Sequence, residues 1–332
     1  MAKKDIVVIG ASAGGMEALR VLASHLPFGL PAAVFAVWHM APDGKSVLPR
    51  VIAEAGPLPA AHPRDREPIA RGHIYVAPPD HHMLLENGHV RIARGPRENR
   101  FRPAVDPLFR SAAYVYGPRV VGVVLTGALD DGTSGLWTIK MRGGTAIVQD
   151  PEEALHPSMP RNALRNVEVD HTAPLAEIAA LIARLAQQDA PPAPEIPMDE
   201  RQKLEAEIRL AEESNVPDHE AFHRGELSPF TCPECHGVLA RMHEGSILRF
   251  RCHTGHAFTA ESLLGALHEQ VEERVWDAVR AVDETAMLLE HLARHLEHAG
   301  ERDAARKCIE KAREARARSR PLREVAQSEA PA

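Results

Sequence analysis

Two kinds of hydrophobic pattern alternate along the first 189 residues. Short runs rich in β-branched residues, at 6–9, 33–38, 73–77, 119–125 and 145–149, read as buried strands. Between and after them, apolar residues recur three or four positions apart at 16–26, 105–116, 134–142, 160–166 and 175–187, the signature of helices with one buried face. Such alternation predicts an α/β fold, a doubly wound, mostly parallel sheet with helices on both faces. Residues 83–86 and 89–93 flank Asn87-Gly88, a hairpin signal, so an antiparallel pair is expected beside the main sheet.

The pattern changes after residue 189. Residues 190–197 are proline-rich and read as a linker. A charged helical stretch follows at 199–213, and then a cysteine-bearing module at 228–258. Residues 261–299 read as one long amphipathic helix, with Leu263, Leu264, Leu267, Val271, Val275, Val279, Val282, Met287 and Leu288 among its apolar positions. A basic helix is expected at 302–320, and the last residues of the chain are expected to fray. The organisation is thus a domain at 1–189, a linker and charged helix at 190–227, a small module at 228–260 and a helical region at 261–320. The linker predicts that the module folds independently of the first domain. The long helix has too many apolar positions to stay solvated on all sides, and should pack on the module, on the α/β domain or on a second copy.

Composition narrows the function. The chain of 332 residues suits one large domain plus a smaller one. Its net charge is −7, from 39 basic and 46 acidic residues, which argues against a nucleic-acid binder. No apolar run is long enough to span a membrane. The N-terminus leads straight into the first strand, so no signal peptide is expected. Four cysteines, two of them in a Cys-x-x-Cys pair, fit a reducing cytoplasm.

The candidate chemistry starts at Gly10-Ala11-Ser12-Ala13-Gly14, a G-x-S-x-G between a strand and a helix. This pattern exposes a serine hydroxyl on a sharp turn, where unpaired N–H groups can bind an oxyanion. A nucleotide-binding turn and a structural tight turn are the alternatives. For the first, Ser12 replaces the second glycine of G-x-G-x-x-G, and the next strand ends in Trp38-His39 rather than an acidic residue. Gly44-Lys45-Ser46 does not complete a P-loop, because the glycine required five residues earlier is His39. Ligands of an open parallel sheet bind at the carboxyl ends of its strands. His39 ends the second strand, and Asp130 and Asp131 follow the strand at 119–125. A serine, a histidine and an aspartate therefore share one rim, although the aspartates could also cap the next helix. The order Ser…His…Asp disfavours an α/β-hydrolase, which runs Ser…Asp…His.

A second chemistry lies in the module. Cys232-Pro233-Glu234-Cys235 and Cys252-His253-Thr254-Gly255-His256 are separated by sixteen residues. Cys232, Cys235, Cys252 and His256 give a ligand set suited to a tetrahedral structural zinc, with His236, His243 and His253 as alternative fourth ligands. A reduced Cys-x-x-Cys among scattered histidines is the bland alternative. Zinc ribbons also serve nucleic acid, but the acidity and the lack of aromatic–basic interleaving point to a regulatory or docking module. Cys308, in the basic helix, reads as a bystander.

Several separated blocks in order carry a resemblance. They are Ile9-Gly10-Ala11-Ser12-Ala13-Gly14-Gly15, Trp38-His39-Met40, Gly72-His73-Ile74-Tyr75-Val76-Ala77-Pro78-Pro79-Asp80, Asn99-Arg100-Phe101-Arg102-Pro103-Ala104-Val105-Asp106, Leu125-Thr126-Gly127 with Asp131-Gly132, and Met159-Pro160-Arg161-Asn162-Ala163. Over residues 5–185 the chain resembles the CheB-type chemotaxis protein-glutamate methylesterases. The resemblance implies a doubly wound α/β fold and hydrolysis of glutamate γ-methyl esters on chemoreceptors, with methanol released and certain glutamines deamidated by some members. It implies Ser12, His39 and Asp131 as the catalytic serine, histidine and aspartate, with no cofactor for catalysis. Ala13 and Ala128, where the family often has threonine and methionine, would supply the oxyanion hole through backbone N–H. Best-known members carry an N-terminal receiver domain, which is not expected in this chain. The partner implied is a methylated chemoreceptor, with self-association through the C-terminal helices a further expectation. A non-catalytic scaffold that keeps the esterase fold is the rival reading, and an esterase for another ester a third. A chain cut near Gln188 is expected to remain active, because all three candidate residues lie upstream.

Overall fold

The structure, a computed structural model, describes residues 2–44, 46–212 and 225–328. Its central sheet has seven strands, β1 (Ile6–Ala11), β2 (Ala33–Trp38), β3 (Ala60–Ala61), β5 (Ile74–Val76), β8 (Val120–Val124), β9 (Thr145–Gln149) and β10 (His171–Ala173), in the order β10-β9-β8-β1-β2-β5-β3. Every pairing in it is parallel. A separate antiparallel sheet holds β4 (Glu67–Pro68), β6 (His82–Glu86) and β7 (His89–Ala93) around the Asn87-Gly88 turn.

The strand runs are apolar because both faces of the main sheet are covered. All six residues of β1 are buried. Side chains alternate across a strand, so Val7, Ile9 and Ala11 join one core while Ile6 and Val8 join the other. The first core takes the apolar sides of α1 (Gly15–His25), α2 (Leu48–Ala55) and α6 (Leu175–Leu185). The second takes those of α3 (Val105–Tyr116), α4 (Thr133–Met141) and α5 (Ser158–Asn166). The doubly wound, mostly parallel α/β expectation holds. In the main sheet and its flanking helices, three elements escaped the hydrophobic pattern. Strands β3 and β10 are two and three residues long, and α2 shows only one buried i, i+4 pair, Leu48 and Ile52.

The linker is not a spacer between separate bodies. Ala190 donates its N–H to the Ala2 carbonyl at 2.8 Å, and Lys3 pairs with Asp189. The charged helix, α7 (Met198–Glu212), buries Leu204, Ala206, Glu207, Leu210 and Ala211. It comes so close to the loop after β7 that a Cβ on Gly95 would sit 2.3 Å from the Ala211 carbonyl oxygen. The module follows as an antiparallel sheet of β11 (Glu226–Thr231), β12 (Val238–Glu244), β13 (Ile247–Cys252) and β14 (Ala257–Thr259). Met1–Leu263 form one compact unit. Where the proline-rich linker predicts a module that stands apart, backbone bonds (Asn99 N–H to Ala257 O, Ala257 N–H to Arg97 O) and buried charges (Arg249 and Arg251 to Glu98) join it to the α/β domain. Glu213, the expected end of α7, and residues 329–332, among the last residues expected to fray, lie outside the described residues; the helix expected to end at 320 continues to Ser328.

The second unit, Leu264–Ala332, contains most of α8 (Ala260–His298) and all of α9 (Arg302–Ser328). Gly300, with φ of 82°, makes the turn between them. Arg316 pairs with Glu290 and Arg323 with Asp283, so the two helices run antiparallel. Val279, Ala286 and Ala293 on one helix, and Ala305, Ala312, Ser319 and Ala326 on the other, are buried at seven-residue intervals. The larger Met287 and Leu288, read as packing positions from the sequence, are exposed.

Candidate active site

Strand register brings the candidate residues together. Ala11 pairs with Trp38 across β1 and β2, which sets Ser12 beside His39. Gly10 pairs with Val124 across β1 and β8, and Ser12 N–H donates to the Thr126 carbonyl at 3.0 Å. The three loops meet where the strand order reverses direction, the binding crevice of an open parallel sheet.

The Ser12 turn is fixed by its neighbours. Gly14 takes a φ of 74° before α1. The Trp38 indole donates to the Ser12 carbonyl at 2.8 Å. A Cβ on Gly127 would meet the Met159 sulfur at 2.1 Å and Ser12 Cβ at 2.8 Å, so only glycine lets that loop approach.

His39 Nδ1 lies 3.0 Å from Ser12 Oγ, and His39 Nε2 lies 2.6 Å from Asp131 Oδ2. An ionised carboxylate only accepts, so Nε2 carries the proton and Nδ1 is left to accept from the serine hydroxyl. The ring nitrogens are used in the opposite sense to the serine-protease arrangement. Phe101 stacks on the imidazole, with ring centroids 3.7 Å apart.

Asp131 is the most heavily bonded group of the site. Besides His39 it accepts from Val105 N–H at 2.7 Å, Asn99 Nδ2 at 2.8 Å and Asp106 N–H at 3.3 Å, the N–H groups at the start of α3 among them. Burial pushes its carboxyl up, but His39, Val105 N–H and the Asn99 amide together hold it below the ordinary value. Its neighbours behave otherwise. Burial and the Asp131 charge push Asp106 well up, and burial pushes Asp130 up to about 7 against the Thr259 hydroxyl bond. Of these three buried aspartates, the one facing His39 is held below its ordinary value and the other two are pushed above it.

A cleft of about 470 Å³ opens over Ser12, bordered by Ala13, Trp38, His39, Phe101 and Arg102. The N–H groups of Ala13 and Ala128 make no hydrogen bond among the described residues. Ala13 follows Ser12 and lines the cleft, and Ala128 follows Gly127, where a Cβ would lie 2.8 Å from Ser12 Cβ. Asn99 and Phe101 lay in a block singled out by sequence, yet without a role. Their sequence positions carry no periodic signal, and only the fold brings them to His39 and Asp131.

In the module, Cys232, Cys235, Cys252 and His256 converge, with their ligand atoms all within 4.8 Å of one another. Closest separations run from 3.6 to 3.7 Å, near the ~3.7 Å edge of a tetrahedron with metal–sulfur bonds of about 2.3 Å. Two tight turns present them. Cys232 N–H donates to Gly237 O and Cys252 N–H to His256 O, with Gly255 at a φ of 94°. His236, His243 and His253 are not in the cluster.

Comparison with known proteins finds relatives of the α/β domain. A family profile described as CheB methylesterase matches residues 7–182. A Leptospira interrogans protein named as a protein-glutamate methylesterase/protein-glutamine glutaminase is 38% identical over 188 residues, 56% of this chain and 96% of that one. A protein-glutamate methylesterase/protein-glutamine glutaminase of Anaeromyxobacter dehalogenans is 37% identical over 186 residues, and the match spans only 54% of its length. The crystal structure of the Thermotoga maritima CheB methylesterase catalytic domain superposes with a TM-score of 0.53 at 32% identity, covering 56% of this chain and 100% of that one. Since the profile takes in more than half of the residues, and a solved member shares the fold, the chain belongs to the CheB methylesterase family.

Proposed function

We propose that this chain hydrolyses glutamate γ-methyl esters on a chemoreceptor or similar signalling protein, with Ser12 as nucleophile, His39 as general base and Asp131 as the orienting carboxylate. Ser12 Oγ attacks the ester carbonyl carbon as its proton passes to His39 Nδ1. Asp131 stabilises the imidazolium, and the Ala13 and Ala128 N–H groups receive the negative charge on the former carbonyl oxygen. Collapse of this intermediate breaks the bond to the methoxy oxygen, which takes the proton from His39 and leaves as methanol. Water then gives a proton to His39 and attacks the acyl-serine; His39 returns that proton to Ser12 Oγ as the acyl–oxygen bond breaks, and the released glutamate γ-carboxyl group loses its own proton to solvent. With a glutamine carboxamide in place of the ester, the same steps release ammonia. The observation that carries this reading is the unbroken line Ser12 Oγ–His39–Asp131 under an open cleft. It also disfavours the scaffold reading, which needs neither. Methanol release from methylated receptor by the intact chain, absent in Ser12→Ala, is the expected result; equal release by both would exclude Ser12.

Three thiols and an imidazole at tetrahedral spacing are donors for zinc, with no ligand position left open, so the metal would be structural. No described helix is long and apolar enough to cross a membrane, and four free cysteines suit a cytoplasmic setting. Exposed Met287, Leu288 and Leu292 support self-association of the helical unit, which sedimentation at increasing concentration would reveal.

A further inference from the structure

We propose that Thr259 and Ser262, at the end of the cysteine module, are positioning residues for the esterase reaction: they fix the Asn99 amide, and through it the Asp131 carboxylate. This rests on the assignment of Ser12, His39 and Asp131 above.

Asn99 stands between two sets of partners. Its Oδ1 accepts from Thr259 N–H at 3.0 Å and from the Ser262 hydroxyl at 3.1 Å. Its Nδ2 donates to Asp131 Oδ1 and to Asp106 Oδ2, both at 2.8 Å. Backbone N–H and carboxylate admit one orientation only, so the amide polarity is set by chemistry. Its backbone is tied down as well, by Asn99 N–H to the Ala257 carbonyl at 2.8 Å.

The gripping end is itself rigid. Thr259 caps α8, with Ser262 N–H donating to Thr259 Oγ1 at 3.1 Å and Thr259 N–H to Ser262 Oγ at 2.9 Å, a reciprocal capping box. Thr259 Oγ1 also donates to Asp130 Oδ1 at 2.6 Å. Asn99, Asp131, Thr259 and Ser262 are all buried, so water does not substitute for a lost partner. Without the donors on its oxygen, the amide could flip and turn Oδ1 toward Asp131. Asp131 would then lose a donor and face an acceptor, and His39 would lose its fixed orientation.

The test uses the full chain. Ser262→Ala should lower kcat for methanol release about tenfold, the worth of one buried hydrogen bond, with KM unchanged. Asn99→Gly, which accepts the φ of 49° without strain, should lower it further, and Ser262→Ala should cost nothing more in that background. The downfield NMR signal of the proton between His39 Nε2 and Asp131 should shift or broaden in both variants, including in a Ser12→Ala chain that turns nothing over. An unchanged signal and kcat in Ser262→Ala overturn the proposal, as do losses that multiply with Asn99→Gly. If Ser262→Ala does not fold, Asn99→Gly with its signal and kcat unchanged overturns it equally. A signal that moves in a chain whose unmutated form releases no methanol supports the brace and counts against the esterase assignment.

Discussion

At the scale of single residues, two adjacent aspartates have opposite electrostatics. Asp131 accepts from His39, two backbone N–H groups and Asn99, and stays ionised. Asp131→Asn should therefore cost on the order of 10³–10⁴ in kcat, while Asp130→Asn should leave the chemistry near its normal rate; a reversed result would exchange their roles. Ser12→Ala and His39→Ala should each remove most activity, and the double variant should be scarcely worse, because the groups act together. Asp130 makes a separate prediction for stability. Burial lifts its carboxyl from 3.8 to about 7, with Glu261 and Asp131 adding to the lift and the Thr259 hydroxyl and Arg249 opposing it. Between those two values the folded chain holds a proton that the unfolded chain has lost. Stability from this group is full below about pH 4 and falls, by up to about 1.4 kcal/mol per pH unit, as pH rises toward 7. Asp130→Asn keeps the neutral form at every pH. Urea unfolding at pH 5 and pH 8 should show a shallower decline in the variant, and an identical decline would place the proton elsewhere.

At the scale of elements, β13 holds the largest surprise. Arg249 and Arg251 alternate along it and share one face, and arginine is ordinarily left in water. Both are buried instead, because that face meets carboxylates of α7, of β12 and of the loop after β7. Arg249 pairs with Glu98 at 3.2 Å and Glu207 at 3.1 Å, and with Glu244; Arg251 pairs with Glu98 at 3.5 Å and with Glu207; Arg110 pairs with Glu98 at 3.0 Å. Against burial, the three guanidiniums hold Glu98 well below the carboxylate range and Glu207 at about 2. Removing one partner strands a buried charge, so Arg251→Met should cost about 3–5 kcal/mol. Adding Glu207→Gln should recover part of that loss, and additive losses in denaturant titrations would mean the charges are not coupled. This is also where legibility ended. Strands β1, β2, β8 and β9 could be read because parallel strands buried on both faces leave a continuous apolar run. Ser12, His39 and Asp131 could be read because motif and strand end point to one rim. Glu98, Asn99 and Glu207 could not, because their partners lie 151, 163 and 44 residues away, in Arg249, Ser262 and Arg251. No local pattern encodes such a pairing.

For the molecule as a whole, these long-range partners decide how the cysteine module relates to catalysis. Cys252 ends β13, the strand that carries Arg249 and Arg251, and His256 precedes β14, which leads to Thr259. The four-residue stretch from His256 to Thr259 thus connects the metal-type cluster to the groups that grip Asn99. A chain cut near Gln188 keeps every triad residue, yet it leaves Glu98 and Arg110 to face solvent without Arg249, Arg251 and Glu207, and Asn99 Oδ1 without Thr259 and Ser262. It should release methanol more slowly than the full chain, in contrast to the independence suggested by the proline-rich linker. Metal removal tests the same coupling without cutting the chain. Purified protein should hold one zinc per chain by elemental analysis. Because Met1–Leu263 form one compact unit, chelation should lower the melting temperature of that unit as a single transition and lower kcat with it, and added zinc should restore both. Two calorimetric transitions, the lower one zinc-dependent and crossed without loss of methanol release, would show instead that the module unfolds alone and that the triad stands without it.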